Sequence, residues 1–274
     1  MMLESPDTCL SIADMIKHRY ATRLASNLSL CFTLAPVIAL AQTYPAKPIR
    51  IIAQFAAGSI TDTSARVIGQ KLSERFGHQV VVDNRPGAGG ALGTEIAARS
   101  NPDGYTLVMA PSSAFGSAPW LYTKPPYNPV TDFEAISNLV TSPQVISASP
   151  VAEFRTLKEF VTLAKAKPRY VNFASPGPGS TNHLSMELFR TAVGMELNHV
   201  PFKSGGDMYV QMATGQVSVM SDSLPGSLPH IKAGRLRALA VSALKRSQHL
   251  PDAATVTEHG LPGTAGFDIQ GWVG

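Results

Sequence analysis

The sequence predicts an α/β protein built as two lobes. Short apolar, β-branched runs alternate with amphipathic stretches, and the alternation occurs twice along the chain. A stretch richer in Pro, Ser and Tyr separates the two series. Strand and helix in alternation are the mark of a largely parallel sheet covered by helices on both faces. The chain has 274 residues, 44% hydrophobic and 15% charged. That composition is globular and too apolar for disorder, and the length suits one large domain or two modest ones.

In chain order, residues 1–41 read as an export signal. Lys17, Arg19 and Arg23 form a basic patch, and an apolar stretch follows from Leu24 to Leu40. It ends in Ala39-Leu40-Ala41, a small-x-small cleavage site, which makes Gln42 the expected mature start. Asn27 and Pro36 interrupt the stretch, which is short for a membrane span. An acidic leader ahead of the basic patch is unusual for such a signal, so Met15 is an alternative start. Cys9 and Cys31 both fall in the part to be removed. Leu28-Ser29-Leu30 before Cys31 loosely matches a lipoprotein signal, but Leu30 is bulky for that position. The mature chain is then expected to hold together by core packing alone, without a disulfide, and roughly 230 residues can supply such a core. Residues 1–41 carry three bases and three acids, so the net charge of +4 survives cleavage.

The first series begins with a buried strand at Ile49–Ala53. A helix over Thr61–Phe76 follows, with Ala65, Ile68, Leu72 and Phe76 spaced by three and four. Gln79–Asp83 is a β-branched strand, Ala91–Arg99 a short helix and Tyr105–Ala110 a third strand. Pro111–Pro150 reads as a surface excursion and then a crossing into a second lobe, with Pro125-Pro126-Tyr127-Asn128-Pro129 extended or turn-like. The second series places helices at Leu157–Ala166, Asn182–Val193, Asp207–Thr214 and Leu228–Ala233, the last closed by Gly234. Its strands are Tyr170–Ala174, Val217–Ser221 and Leu236–Ser242.

Two loops carry the chemistry. Phe55-Ala56-Ala57-Gly58-Ser59-Ile60-Thr61-Asp62 leaves a strand end and enters a helix start, the place where open parallel sheets bind ligands. Free amides there attract anions, and Ser59 and Thr61 add hydroxyls. Asp62 either caps the helix or accepts a hydrogen bond from a ligand. The second loop, Ser175-Pro176-Gly177-Pro178-Gly179-Ser180-Thr181-Asn182-His183, also joins strand to helix. Its glycines allow close backbone approach and its prolines stiffen it. One such loop from each series is what a two-sided clamp on an anion needs. Ser112 and Ser113, after the third strand, are further candidates. Asp222 either faces the cleft or caps a turn before Pro225.

Other chemistries find little support. Lys and Arg are scattered, with no run that would track the phosphates of a nucleic acid. Gly87-Ala88-Gly89-Gly90-Ala91-Leu92-Gly93 invites a dinucleotide reading, but Asp83-Asn84-Arg85-Pro86 separates it from the strand, so close helix packing is the better account. The histidines show no metal-ligand spacing and no H-E-x-x-H pattern. No G-x-S-x-G elbow and no nucleophile–base pair is evident, and His183 reads as a hydrogen-bonding residue at a helix start. No metal, cofactor or catalytic residue is expected.

Taken as an ordered set, these stretches resemble the periplasmic receptors of tripartite tricarboxylate transporters, the Bug receptors. The matches run from Tyr44-Pro45-Ala46-Lys47-Pro48-Ile49-Arg50 through Phe55, Gly58, Asp62 and Asn84-Arg85-Pro86-Gly87-Ala88-Gly89-Gly90. They continue with Asp103-Gly104-Tyr105-Thr106-Leu107, Gly177, Gly179-Ser180, His183-Leu184, His199-Val200-Pro201-Phe202-Lys203, Gly215-Gln216-Val217 and Leu236-Arg237-Ala238-Leu239-Ala240-Val241. The resemblance implies a two-lobed Venus-flytrap fold of type II without catalysis. It implies an extracytoplasmic receptor for a small carboxylated metabolite, loaded in the periplasm and passed to the membrane permease subunits. A ligand sensor that presents its carboxylate to a two-component kinase is the alternative. A monomer is expected. In the family, the loops matching Phe55–Asp62 and Ser175–His183 pinch a ligand carboxylate, and the rest of the ligand would meet variable side chains such as Ile60, Phe115, Trp120 and Met208. Lobe I is then expected over residues 42–143 and 245–274, and lobe II over 144–244.

Two departures stand out. Ser59 occupies a position where the family usually has a second glycine, so a side chain there narrows the approach or adds a contact. The chain also stops at Gly271-Trp272-Val273-Gly274, where members of the family continue for several dozen residues, so the C-terminus reads as truncated.

Overall fold

A computed structural model describes residues 43–203, 205–264 and 267–273. The signal-peptide reading and both cysteines lie outside the described residues. From Pro45 onward the chain forms one compact unit.

The first series folds as its periodicity requires. Strand β1 (Ile49–Ala53) lies between β2 (Val80–Asn84) and β3 (Thr106–Pro111), parallel to both, with Ile51 opposite Val82 and Leu107. A central parallel strand is covered on both faces, which explains its unbroken apolar run. Ile49 and Ile51 pack with Ala65 of α1 (Ile60–Phe76). Ile52 and Val108 point the other way, under Ile96 and Ala97 of α2 (Ala91–Ala98). After β3 come two short helices, α3 (Ser112–Gly116) and α4 (Ala118–Leu121). The excursion that follows is pinned by Tyr127, which is buried and donates its hydroxyl hydrogen to the Ala114 carbonyl at 2.7 Å. Phe115, Tyr127 and Phe133 form an aromatic cluster there.

The crossing is made by one long strand, β4 (Ala135–Ala148). Its first part, up to Pro143, runs antiparallel to β9 (Phe267–Val273), which also pairs antiparallel with β3. Its last part, from Gln144, runs antiparallel to β7 (Val219–Ser223) and β8 (Arg237–Ser242). The path across the whole sheet is β2-β1-β3-β9-β4-β7-β5-β6, with β8 also on β4. Its β1–β2–β3–β9 end is called sheet A here, and its β5–β8 end sheet B. The crossing expected between the two series is thus a strand, and its outer half is largely exposed.

The second series supplies α5 (Leu157–Ala166), β5 (Asn172–Ser175), α6 (Thr181–Val193), β6 (Asn198–Pro201), α7 (Gly205–Thr214), β7, α8 (Leu224–Lys232) and β8. β5 is parallel to both β6 and β7. Phe154, Phe160, Phe173, Phe189 and Met186 form the main core beneath it. β6 has no counterpart in the sequence reading, because four residues with two polar members carry almost no periodic signal. Helix α8 starts at Leu224 rather than Leu228. Pro225 sits in its first turn, where a missing N–H costs nothing. β7 ends at Ser223 and so contains Asp222.

Beyond β8, Leu250 and Ala253 pack on Val145, Leu224 and Val241, and Val256 is buried in the phenylalanine core. Residues up to about 261 therefore rest on sheet B, and the chain joins sheet A through β9.

Candidate ligand-binding site

Both candidate loops border one cavity of about 300 Å³. Phe55, Gly58, Ser59, Ile60 and Thr61 come from the first, and Pro176, Thr181 and Asn182 from the second. The N-termini of α1 and α6 therefore reach the same space.

The β1–α1 loop is shaped by an acid that faces inward. Asp62 is almost fully buried. Its carboxylate accepts the Gly58 N–H at 2.9 Å and the Asn84 amide at 3.0 Å, and pairs with Arg66 at 2.9 Å. Burial alone would push Asp62 up, but Arg66, the Gly58 N–H and Asn84 outweigh it and hold the carboxyl below its ordinary value. Gly58 sits at φ +83°, a left-handed position that suits glycine. Ser59 is the N-cap, with its Oγ accepting the Asp62 N–H at 3.2 Å. Ser59 thus serves as a cap. The amides of Ile60 and Thr61 find no acceptor among the described residues, as expected at N1 and N2 of a helix. Thr61 Oγ1 is buried without a hydrogen-bond partner.

The β5–α6 loop is shaped by neutral groups. Ser175 Oγ accepts the Gly177 N–H at 3.0 Å and lies 2.7 Å from His199 Nε2. Ser180 caps α6, accepting the His183 N–H and donating to the Gly177 carbonyl at 2.7 Å. His183 Nδ1 accepts the Gly179 N–H at 3.2 Å, which places the neutral ring's proton on Nε2. His183 and His199 lie 4.3 Å apart, tilted by 34°, and both rings stack on Phe173. Burial lowers His183, with Arg190 adding to it. Burial and the neighbouring His183 bring His199 down to about 4.

A third wall comes from sheet B. Asp222 accepts from Asn182 Nδ2 at 2.8 Å, from the Ser223 N–H at 2.7 Å and from the Tyr209 hydroxyl. Burial raises its carboxyl despite those donors. Tyr209, itself raised by burial and by Asp222, stacks on His230 at 3.9 Å. Lys203 and Arg235 complete the lining, and neither has an acidic partner among the described residues.

The residues anticipated from sequence thus fall into three places. Phe55, Gly58, Ser59, Ile60, Thr181 and Asp222 line the cavity. Asp62, Ser175, Gly177, Gly179, Ser180 and His183 stand behind it and hold the two loops. Ser112 and Ser113 line a neighbouring cavity of about 260 Å³ that shares Thr181 with the first. Of the side chains expected to meet the rest of a ligand, Ile60 and Met208 line the cavity, whereas Phe115 is in the aromatic cluster and Trp120 is exposed. The sequence reading missed Asn182, Lys203, Tyr209, His230 and Arg235 as lining groups. It also missed the Ser175–His199 pair, in which the serine is fully buried and off the cavity wall.

Residues 64–274 match the family model described as the tripartite tricarboxylate transporter family receptor. The chain belongs to that family. It is an extracytoplasmic solute receptor of the Bug type, with the periplasmic-binding-protein fold. It is 37% identical to BugT of Bordetella pertussis over 244 residues, 88% of this chain and 75% of BugT. MatC of Rhodopseudomonas palustris, solved with bound malate, superposes with a TM-score of 0.80 at 29% identity, covering 84% of this chain and 78% of MatC. Another R. palustris protein, solved with adipate, gives a TM-score of 0.80 at 31% identity over 84% of this chain and 77% of its own.

Proposed function

We propose that this receptor takes up a small carboxylate between two lobes, with one carboxylate end held by the N-termini of α1 and α6. The observation that carries the reading is the meeting of those two helix starts at one cavity. Each brings a partial positive charge at its start, an arrangement suited to an anion. The Ile60 and Thr61 amides, the Thr61 hydroxyl and the Thr181 and Asn182 end of α6 are the proposed contacts. Asp62, Ser175, Gly177, Gly179, Ser180 and His183 are proposed to position them. Ser112 and Ser113 are proposed to meet ligands long enough to pass Thr181.

Malate and adipate, the ligands of the two R. palustris relatives, each carry a second carboxylate. Lys203 and Arg235, which line the cavity without an acidic partner among the described residues, are the proposed counterpart for such a group. The proposed lobes are residues 43–143 with β9, and 144–264. Closing them buries the ligand and forms the surface that a permease reads. The proposal includes a monomer without turnover; the full burial of Ser175, off the cavity wall, supports the absence of turnover.

The test is a thermal-shift and calorimetric panel of mono- and dicarboxylates beside neutral sugars, with mass spectrometry of each acid after incubation. Stabilisation by acids and not sugars, with every acid recovered unchanged, is expected. Stabilisation by sugars alone, or chemical change of a bound acid, would overturn the reading.

A further inference from the structure

Gly87-Ala88-Gly89-Gly90 reads from sequence as a packing turn, and what it packs on is the second binding loop. Gly89 stands at φ +63°, and a Cβ built on it would lie 2.2 Å from the Pro178 carbonyl oxygen and 3.1 Å from the Ser180 nitrogen. A Cβ on Gly177 would lie 3.4 Å from the Gly89 nitrogen. Backbone therefore meets backbone, with the β2–α2 turn on one side and the β5–α6 loop on the other. One side chain crosses the same line: Ser117 Oγ donates to the Gly179 carbonyl at 3.3 Å. The Tyr122 hydroxyl holds the turn from its own side, donating to the Ala88 carbonyl at 3.4 Å.

We infer that Gly89 sets how far the two lobes can close, and thereby whether both helix starts can reach one bound anion. The inference rests on the two-lobed receptor reading. A side chain facing a carbonyl of the main chain cannot rotate out of the way, so one of the two loops must retreat. The loop that would retreat leads into α6, and Thr181 and Asn182 at its start line the cavity. An alanine at position 89 thus lowers the population of the closed, binding-competent form, and apparent affinity falls in proportion.

The test compares Gly89→Ala with Gly77→Ala. Gly77 ends α1 at φ +69°, with nothing within 4 Å of an added Cβ. Its alanine carries the same left-handed strain without the contact. Two readouts are taken on the full chain. One is the Kd for malate and for adipate by calorimetry. The other is the distance between fluorophores placed through non-canonical amino acids at Val67 and Lys158, both exposed, measured without ligand. Gly89→Ala is expected to weaken binding at least tenfold and to lengthen the mean distance. Gly77→Ala is expected to bind within about twofold of the parent at an unchanged distance. Similar melting temperatures for the two variants would show that Gly89→Ala does not act through folding. Equal behaviour of the two variants in both readouts overturns the inference. Where neither acid binds the parent protein, the proposed ligand class fails and the distance comparison alone decides the role of Gly89.

Discussion

The β1–α1 loop is tied by a carboxylate, whereas the β5–α6 loop is tied by two imidazoles and two hydroxyls. Each loop is a strand-to-helix turn, and each has a serine N-cap that accepts the amide three residues on. Behind the caps the chemistry diverges. Asp62 gathers Gly58, Asn84 and Arg66 around one charge. Ser175, His183 and His199 bind Gly177 and Gly179 without a net charge. Both devices tie up loop amides, which fixes the turn that leads into each helix. One task is thus met by an ion-pair anchor on one side and by a neutral stack on the other, and the two should fail differently.

Removing the charged anchor should have the largest effect. Asp62→Ala leaves Gly58, Asn84 and Arg66 without their shared acceptor. Charge-assisted hydrogen bonds of this kind contribute about 1.5–3 kcal/mol each, so a loss of about 2–3 kcal/mol in chemical denaturation is expected, together with the loss of ligand binding. Retained binding with unchanged stability would show that the loop does not depend on the anchor. His183→Ala removes one neutral acceptor and one member of the stack. A loss of about 1–2 kcal/mol is expected, with weaker binding but an intact fold by circular dichroism.

Acid should separate the loops by pH. His199 falls from an ordinary 6.5 to about 4 in the folded protein, so the unfolded chain takes up the proton first. Its stabilising effect is full above 6.5 and declines as pH drops toward 4. Protonating His183 also turns the acceptor of the Gly179 N–H into a donor. Asp62 is held below 3.8, so its contribution is present above that value and is lost only as pH falls through the lower folded value. Hydrogen exchange, corrected for intrinsic rates, should therefore rise in residues 175–183 between pH 6.5 and 4, while residues 55–62 stay protected until below 3.8. Simultaneous loss in both loops would erase the distinction.

The smallest effect is expected at the cations of the sheet B wall. Lys203→Ala and Arg235→Ala remove exposed cations without acidic partners among the described residues, so stability should change by no more than about 0.5 kcal/mol. Affinity for a dicarboxylate should fall several-fold and lose part of its salt dependence, while that for the matched monocarboxylate should hardly change.

What could be read from sequence follows the same division. The loops were legible because glycine, serine and an acid at fixed offsets announce a capped helix start after an apolar strand. The direction in which Asp62 faces was not, since Asn84 reaches it only once β2 lies beside β1, although Arg66 stands four residues on along the same helix. The wall of Tyr209, Asp222 and His230 was hidden for a related reason. Its members come from α7, β7 and α8 and meet only in three dimensions. Sheet order was partly legible. The parallel pairs announced themselves by β-branched runs, but β4 and β6 are strands because of the neighbours they pair with, and their own residues carry little preference.

Strand β4 gives its outer half to β9 and its inner half to β7 and β8. Neither half of the molecule can melt without exposing an unpaired edge on the other. Heating should accordingly show a single calorimetric transition whose van't Hoff enthalpy equals the measured heat, even though the proposed working cycle moves the molecule as two bodies.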